Sequence, residues 1–143
     1  MDTYNNILIA VDLSEEARMV TRKALVLASF YQANIYLIHV IEPVGLNSPY
    51  ELSPGLPDNM QSLLEDRANN FMDNLVKEFE LSEARKIVSL GSIKQQIFQS
   101  TRDNNIDLIV VGTHGRHGIA ILLGSTATSV LHGTPCDVYA VKI

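Results

Sequence analysis

One cysteine, Cys136, stands among 143 residues. A single thiol forms no internal disulfide and completes neither a zinc cluster nor a redox pair, so stability must come from an apolar core, and a reducing cytoplasm is the expected compartment. Long apolar runs are missing as well. The run Ile7 to Val11 is stopped at once by Asp12, far short of a signal peptide's hydrophobic region or a bilayer span. A cytoplasmic protein with no membrane association is therefore expected. Positive charge is not in excess: 11 Lys and Arg against 16 Asp and Glu leave a formal net charge of −5. The long-range field repels polyanions, which argues against a nucleic-acid partner.

Proline is scarce outside one place. Four of the five prolines (Pro43, Pro49, Pro54, Pro57) fall between Glu42 and Asp58 with Gly45 and Gly55, a long irregular excursion rather than a linker between domains. With 46% hydrophobic and 19% charged residues, the composition fits one domain over residues 1–143. A chain of this length buries roughly two-thirds of its unfolded surface, enough for a conventional core.

Apolar patterning alternates between two kinds. Ile7 to Val11, Asn34 to Ile41, Lys86 to Leu90, Asp107 to Gly112 and Asp137 to Ile143 read as strands, several of them continuous apolar runs of the sort buried on both faces of a parallel sheet. Helical spacing follows Ser14-Glu15-Glu16 through Ala17, Val20, Ala24, Leu27, Ala28 and Tyr31, with Ser14 suited to starting the helix. It returns from Met60 to Phe79. A third helix is predicted from the Ser92-Ile93-Lys94-Gln95 capping box to about Asp103, and a fourth from Ser125 to His132, closed by Gly133 and Pro135. The predicted architecture is a single-domain three-layer α/β/α fold with a five-stranded, mainly parallel sheet, four helices and right-handed crossovers. In such sheets ligands bind beyond the strand carboxyl ends where strand order reverses, and Asp12, Val40 and Gly112 lie at or near three such ends.

From Gly112 a glycine-rich stretch runs to Gly124-Ser125-Thr126 at a predicted helix start. Glycines admit close backbone approach, the helix N-terminus offers unpaired N–H groups, and the two hydroxyls add donors, a combination suited to phosphate. The alternative is that Gly112, Gly115 and Gly118 only permit tight turns and Ser125 only caps its helix. The stretch is not a P-loop, because leucine stands wherever a lysine would reach a phosphate. It is not a dinucleotide fingerprint either, since Asp12-Leu13-Ser14 follows the first strand in place of G-x-G-x-x-G.

Four ordered motifs, Ile-Ala-Val-Asp-Leu-Ser (9–14), Leu-Ile-His-Val (37–40), Val-Val-Gly-Thr-His-Gly-Arg (110–116) and Leu-Leu-Gly-Ser (122–125), resemble those of a universal stress protein of the A type, and the likeness covers essentially the whole chain. The resemblance implies the Rossmann-like fold of the adenine-nucleotide alpha hydrolase superfamily and a cytoplasmic homodimer with a stress-response role. Some members of the family bind ATP and others do not. By the resemblance, Ala10, Val11 and Asp12 surround adenine and ribose, and Val40 contacts the base. Gly112 and Gly115 are the first two glycines of the phosphate motif, Gly124 and Ser125 close it, and Thr126 adds a backbone N–H; ATP or AMP is the implied cofactor. Two departures bear on ATP. Gly115 and Gly124 are separated by eight residues, one fewer than in the binding form, and Leu13 replaces the glycine that binders carry after the aspartate.

Other candidates are weaker. His114, His117 and His132 lack the acid or thiolate that would complete a metal set, so no metal is predicted. His39, within an apolar strand, reads as a hydrogen-bonded sheet residue, and Cys136 as a small packing residue. No nucleophile and base pair stands out, so no catalytic residue is assigned; any hydrolysis or autophosphorylation should be slow, with Ser125 or Thr126 the acceptor. The terminal strand is expected at a sheet edge, where Val138 to Lys142 would pair with a second copy in a homodimer. Three functions stay open: a dimeric regulatory module that binds ATP or AMP, a dimer with a degenerate pocket acting through unknown protein partners, and a slow ATPase or nucleotidyl transferase.

Overall fold

A computed structural model describes residues 3–43, 58–113 and 130–142. Along the chain they form β1 (Asn6–Ala10), α1 (Glu16–Tyr31), β2 (Asn34–Ile41), α2 (Asp58–Glu78), β3 (Arg85–Leu90), α3 (Ile93–Asp103), β4 (Leu108–Gly112) and β5 (Asp137–Val141). The strands make one parallel sheet in the order β3-β2-β1-β4-β5.

Why β1 and β4 are almost wholly apolar is visible in how the strand residues divide. Ile7, Ile9, Leu37, Leu108, Val110 and Val141 face one way and pack with Ala17, Val20, Ala24 and Ala28 of α1 and Met72 and Leu75 of α2. Their neighbours Leu8, Ile38, Ile109 and Val111 face the other way and pack with Ile97 and Phe98 of α3 and with Val130. Residues alternate across a strand, so a strand covered on both sides, as β1 and β4 are, needs apolar residues at successive positions. The alanines of α1 leave room for its axis to lie close to the sheet. Register is set from Asn6↔Asn34 to Ala10↔Ile38 between β1 and β2, and from Ile7↔Leu108 to Ile9↔Val110 between β1 and β4.

The helix boundaries show which local signals held. Ser92 accepts the Gln95 N–H on its hydroxyl at 3.5 Å and so caps α3 as its capping sequence predicts. Gly133 adopts φ +80°, just past the helical residues Val130 and Leu131, the left-handed stop that glycine makes at little cost. At α1 the expectation fails. The helix begins at Glu16, after Glu15 and without a side-chain cap, because the Ser14 hydroxyl is committed to Asp12. Of the fourth predicted helix, only its last turn is described; its start at Ser125 and the proline-rich stretch 44–57 lie outside the described residues.

Candidate functional site

The sheet order places β1 at the centre, with β2 on one side and β4 on the other. From β1 the chain turns to α1 on one face, and the helical residue Val130, which follows β4 in the chain, packs on the opposite face. Two neighbouring parallel strands whose connections leave to opposite faces open a crevice between their carboxyl ends, the switch point of an open α/β sheet. Here the switch point lies between Ala10-Val11-Asp12 and Gly112-Thr113.

Each exit is anchored by the strand on its outer side. Val11 N–H donates to the Ile38 carbonyl at 2.9 Å, and Thr113 N–H donates to the Val141 carbonyl at 2.8 Å. Continuing the β1–β2 register past Ala10↔Ile38 brings Asp12 level with Val40. Of the residues singled out in the sequence, the structure therefore brings Ala10, Val11, Asp12, Val40 and Gly112 to one end of three adjacent strands. Val11 is buried and the other four are half-buried. Gly115, Gly124, Ser125 and Thr126 lie outside the described residues, as do His114 and His117.

Asp12 is held in a tight turn. Its Oδ1 accepts the Ser14 backbone N–H at 3.1 Å and also the Ser14 hydroxyl. Aspartate commonly folds the chain this way onto a backbone amide two residues on, and the Asp-x-Ser spacing is the signal from which this turn is legible. A further contact went unread at the sequence level. His39 of β2 places Nδ1 2.8 Å from the Val11 carbonyl oxygen, so the histidine is hydrogen-bonded within the sheet as expected, but at the end of β1 beside Asp12.

Arg18 of α1 is paired twice. Arg18 reaches Glu78 of α2 at 2.7 Å and Glu15 at 2.8 Å, and the two carboxylates hold its guanidinium even more firmly protonated. Cys136 stands before β5, away from the crevice. Burial pushes its thiol from 9.0 up to about 11, which suits packing and leaves little thiolate at neutral pH. Among the described residues no cluster of His, Cys, Asp and Glu could hold a metal ion, and no helix is long and apolar enough to cross a membrane.

An open, all-parallel, five-stranded sheet covered by helices on both faces, with a switch point at its centre, defines a Rossmann-like α/β protein. The sequence profile of the Universal stress protein family matches residues 3–142. The chain belongs to that family. It is 37% identical to Universal stress protein A homolog 2 of Coxiella burnetii over 100% of its own length and 98% of the relative's. The solved structure of the universal stress protein of Methanocaldococcus jannaschii superposes with a TM-score of 0.81 at 27% identity, covering 99% of this chain and 97% of that one. A universal stress protein of Archaeoglobus fulgidus, solved in complex with dAMP, shares the fold at 21% identity and a TM-score of 0.66, covering 97% of this chain and 98% of that one.

Proposed function

We propose that this protein is a cytoplasmic, dimeric stress-response module that binds an adenine nucleotide, ATP or AMP, at the carboxyl ends of β1 and β4 and works as a sensor rather than as an enzyme. The observation that carries the reading is the convergence of Ala10, Val11, Asp12, Val40 and Gly112 at one switch point from three separate stretches of sequence. Asp12 offers a carboxylate to ribose hydroxyls, Val40 an apolar surface to adenine, and Gly112 a side-chain-free backbone to the phosphate end. Gly115, Gly124, Ser125 and Thr126 would complete the phosphate cradle through backbone N–H groups and hydroxyls. The Archaeoglobus relative, with dAMP bound, supports adenine nucleotide as the ligand class. As a homodimer the protein would pair through Val138 to Lys142, that is through β5 and the residue after it, an edge strand with Tyr139 and Ala140 exposed.

Leu13 and the shortened Gly115–Gly124 spacing favour a second reading, a dimer whose pocket is degenerate and which acts only through protein partners. Denaturing the purified protein and running mass spectrometry on the released small molecules separates the two, together with calorimetry against ATP and AMP. ATP or AMP leaving the protein, or saturable heat with either, supports the sensor. Neither signal leaves the partner-docking dimer.

A further inference from the structure

His39 is assigned no contact with the nucleotide, yet it stands among the residues that are assigned one. It lies on β2 between Ile38, whose carbonyl accepts the Val11 N–H at 2.9 Å, and Val40. Its Nδ1 is 2.8 Å from the Val11 carbonyl oxygen. That oxygen has only lone pairs to offer, so Nδ1 carries the hydrogen and donates it. Val11 is thus gripped at both its backbone groups by two successive residues of β2, at the point where the paired ladder of β1 ends.

The peptide unit joining Val11 to Asp12 is a rigid plane that contains the Val11 carbonyl and the Asp12 nitrogen and Cα. A hydrogen bond on that carbonyl therefore sets the direction in which Asp12 leaves the sheet. Ahead of Asp12, the Ser14 N–H and hydroxyl hold the carboxylate itself. The His39 bond behind and the Ser14 bonds ahead both bear on where the carboxylate stands. The one behind comes from β2, the strand that also carries Val40, and so ties the acid to the position of Val40.

We infer that His39 is a positioning residue of the nucleotide site: by donating its Nδ1 hydrogen to the Val11 carbonyl it fixes the Val11–Asp12 peptide plane and aims the Asp12 carboxylate at the ribose. The inference rests on the nucleotide reading of the site and adds a residue that would touch no part of the ligand.

Two variants test it. His39→Leu keeps much of the bulk and removes the donor, whereas His39→Asn restores a nitrogen donor at the same bond count from Cβ as Nδ1. Calorimetry compares ATP with 2′,3′-dideoxy-ATP, which lacks the hydroxyls that Asp12 would hold. The expected result is a loss of about tenfold in ATP affinity for His39→Leu, the size of one hydrogen bond made properly or not. The dideoxy nucleotide should be nearly unaffected, His39→Asn should recover most of the loss, and His39→Leu should cost nothing more in an Asp12→Ala background. Equal losses on both nucleotides, or none, overturn the inference, because a general loosening of the sheet would not single out ribose.

Amide hydrogen exchange on the ligand-free protein gives an arm that needs no nucleotide. Exchange at Ser14 should speed up in His39→Leu by about tenfold relative to Ile9 in the middle of β1, since the turn loses its rear anchor. Unchanged exchange at Ser14 overturns the role of His39 whatever binds. A wild-type protein that binds neither nucleotide overturns the proposed function instead, and the exchange result then decides alone whether His39 holds Asp12.

Discussion

Asp107 holds the start of β1 from the start of β4. Its Oδ2 accepts the backbone N–H of Asn5 at 2.6 Å and of Asn6 at 2.9 Å, while its own N–H donates to the Asn6 carbonyl at 2.9 Å. The pair of strands that flanks the switch point is thus locked in register at its other end, by residues about a hundred positions apart in sequence.

Asp107→Ala should therefore destabilise the fold by about 1–3 kcal/mol, because two backbone donors lose a charged acceptor at once. A urea midpoint that falls by the corresponding amount with an unchanged slope is the expected outcome. A midpoint within error of the wild type would show that solvent replaces Asp107 at no cost.

Thr21 of α1 is fully buried, and its Oγ1 has no hydrogen-bond partner among the described residues. A hydroxyl taken out of water without compensation costs free energy, and valine has the same shape without that penalty. Thr21→Val is expected to raise stability by about 1 kcal/mol, read as a higher melting temperature. A lower one would mean that the hydroxyl has a partner after all.

Two groups near β5 make the protein sensitive to alkali. Burial raises the Cys136 thiol to about 11 from 9.0. The hydrogen bond that the Tyr4 hydroxyl donates to Asp137 at 2.9 Å raises that phenol above 10.0. Both are neutral when protonated, and the folded state binds those protons more tightly than the unfolded state. Their contribution is thus complete below the ordinary values of 9.0 and 10.0 and is lost as pH rises through the raised ones, to about 11 for Cys136. Urea midpoints measured from pH 8 upwards should fall less steeply for the Tyr4→Phe, Cys136→Ala variant than for the wild type. At pH 8 a thiol reagent should label folded Cys136 about a hundredfold more slowly than an unperturbed thiol, in proportion to the thiolate present. Equal labelling rates in the folded and urea-unfolded protein would contradict the shift.

The edge strand gives the test of the proposed assembly. Ala140 is exposed on β5, at the outer edge of the sheet beyond β4. Ala140→Asp puts a carboxylate where its two-fold mate would lie close by, and like charges across a strand pair repel. Light scattering at micromolar concentration should then report half the wild-type mass, with the circular dichroism spectrum unchanged. A wild-type protein that already scatters as a monomer would remove β5 as the dimer interface.

How much was legible in the sequence differs by element. The central strands β1 and β4 could be read directly because they are covered on both faces, so that Leu8-Ile9 or Ile109-Val110 had to be apolar at successive positions. Cap chemistry was legible at α3, where Ser92 had one local partner to serve. It was misleading at α1. Ser14 there could cap the helix or bond Asp12, and only folded geometry brings the Asp12 carboxylate within reach of both its N–H and its hydroxyl. His39 was readable as a sheet residue, but its partner on β1 was not, because a hydrogen bond between strands depends on which strands are neighbours.

Local propensity and apolar periodicity therefore settled the kinds of element, their order along the chain, and the fact that the sheet is enclosed on both faces. They act between residues close in sequence or through burial in general, and they carry no information about which strand lies beside which. The order β3-β2-β1-β4-β5, and with it the placing of Asp12 and Gly112 at the carboxyl ends of neighbouring strands and the grip of His39 on Val11, came from long-range packing of α1 and α2 on one face and α3 on the other. The tertiary structure alone decides such contacts, because their free energy is realised only when distant segments have already been brought together.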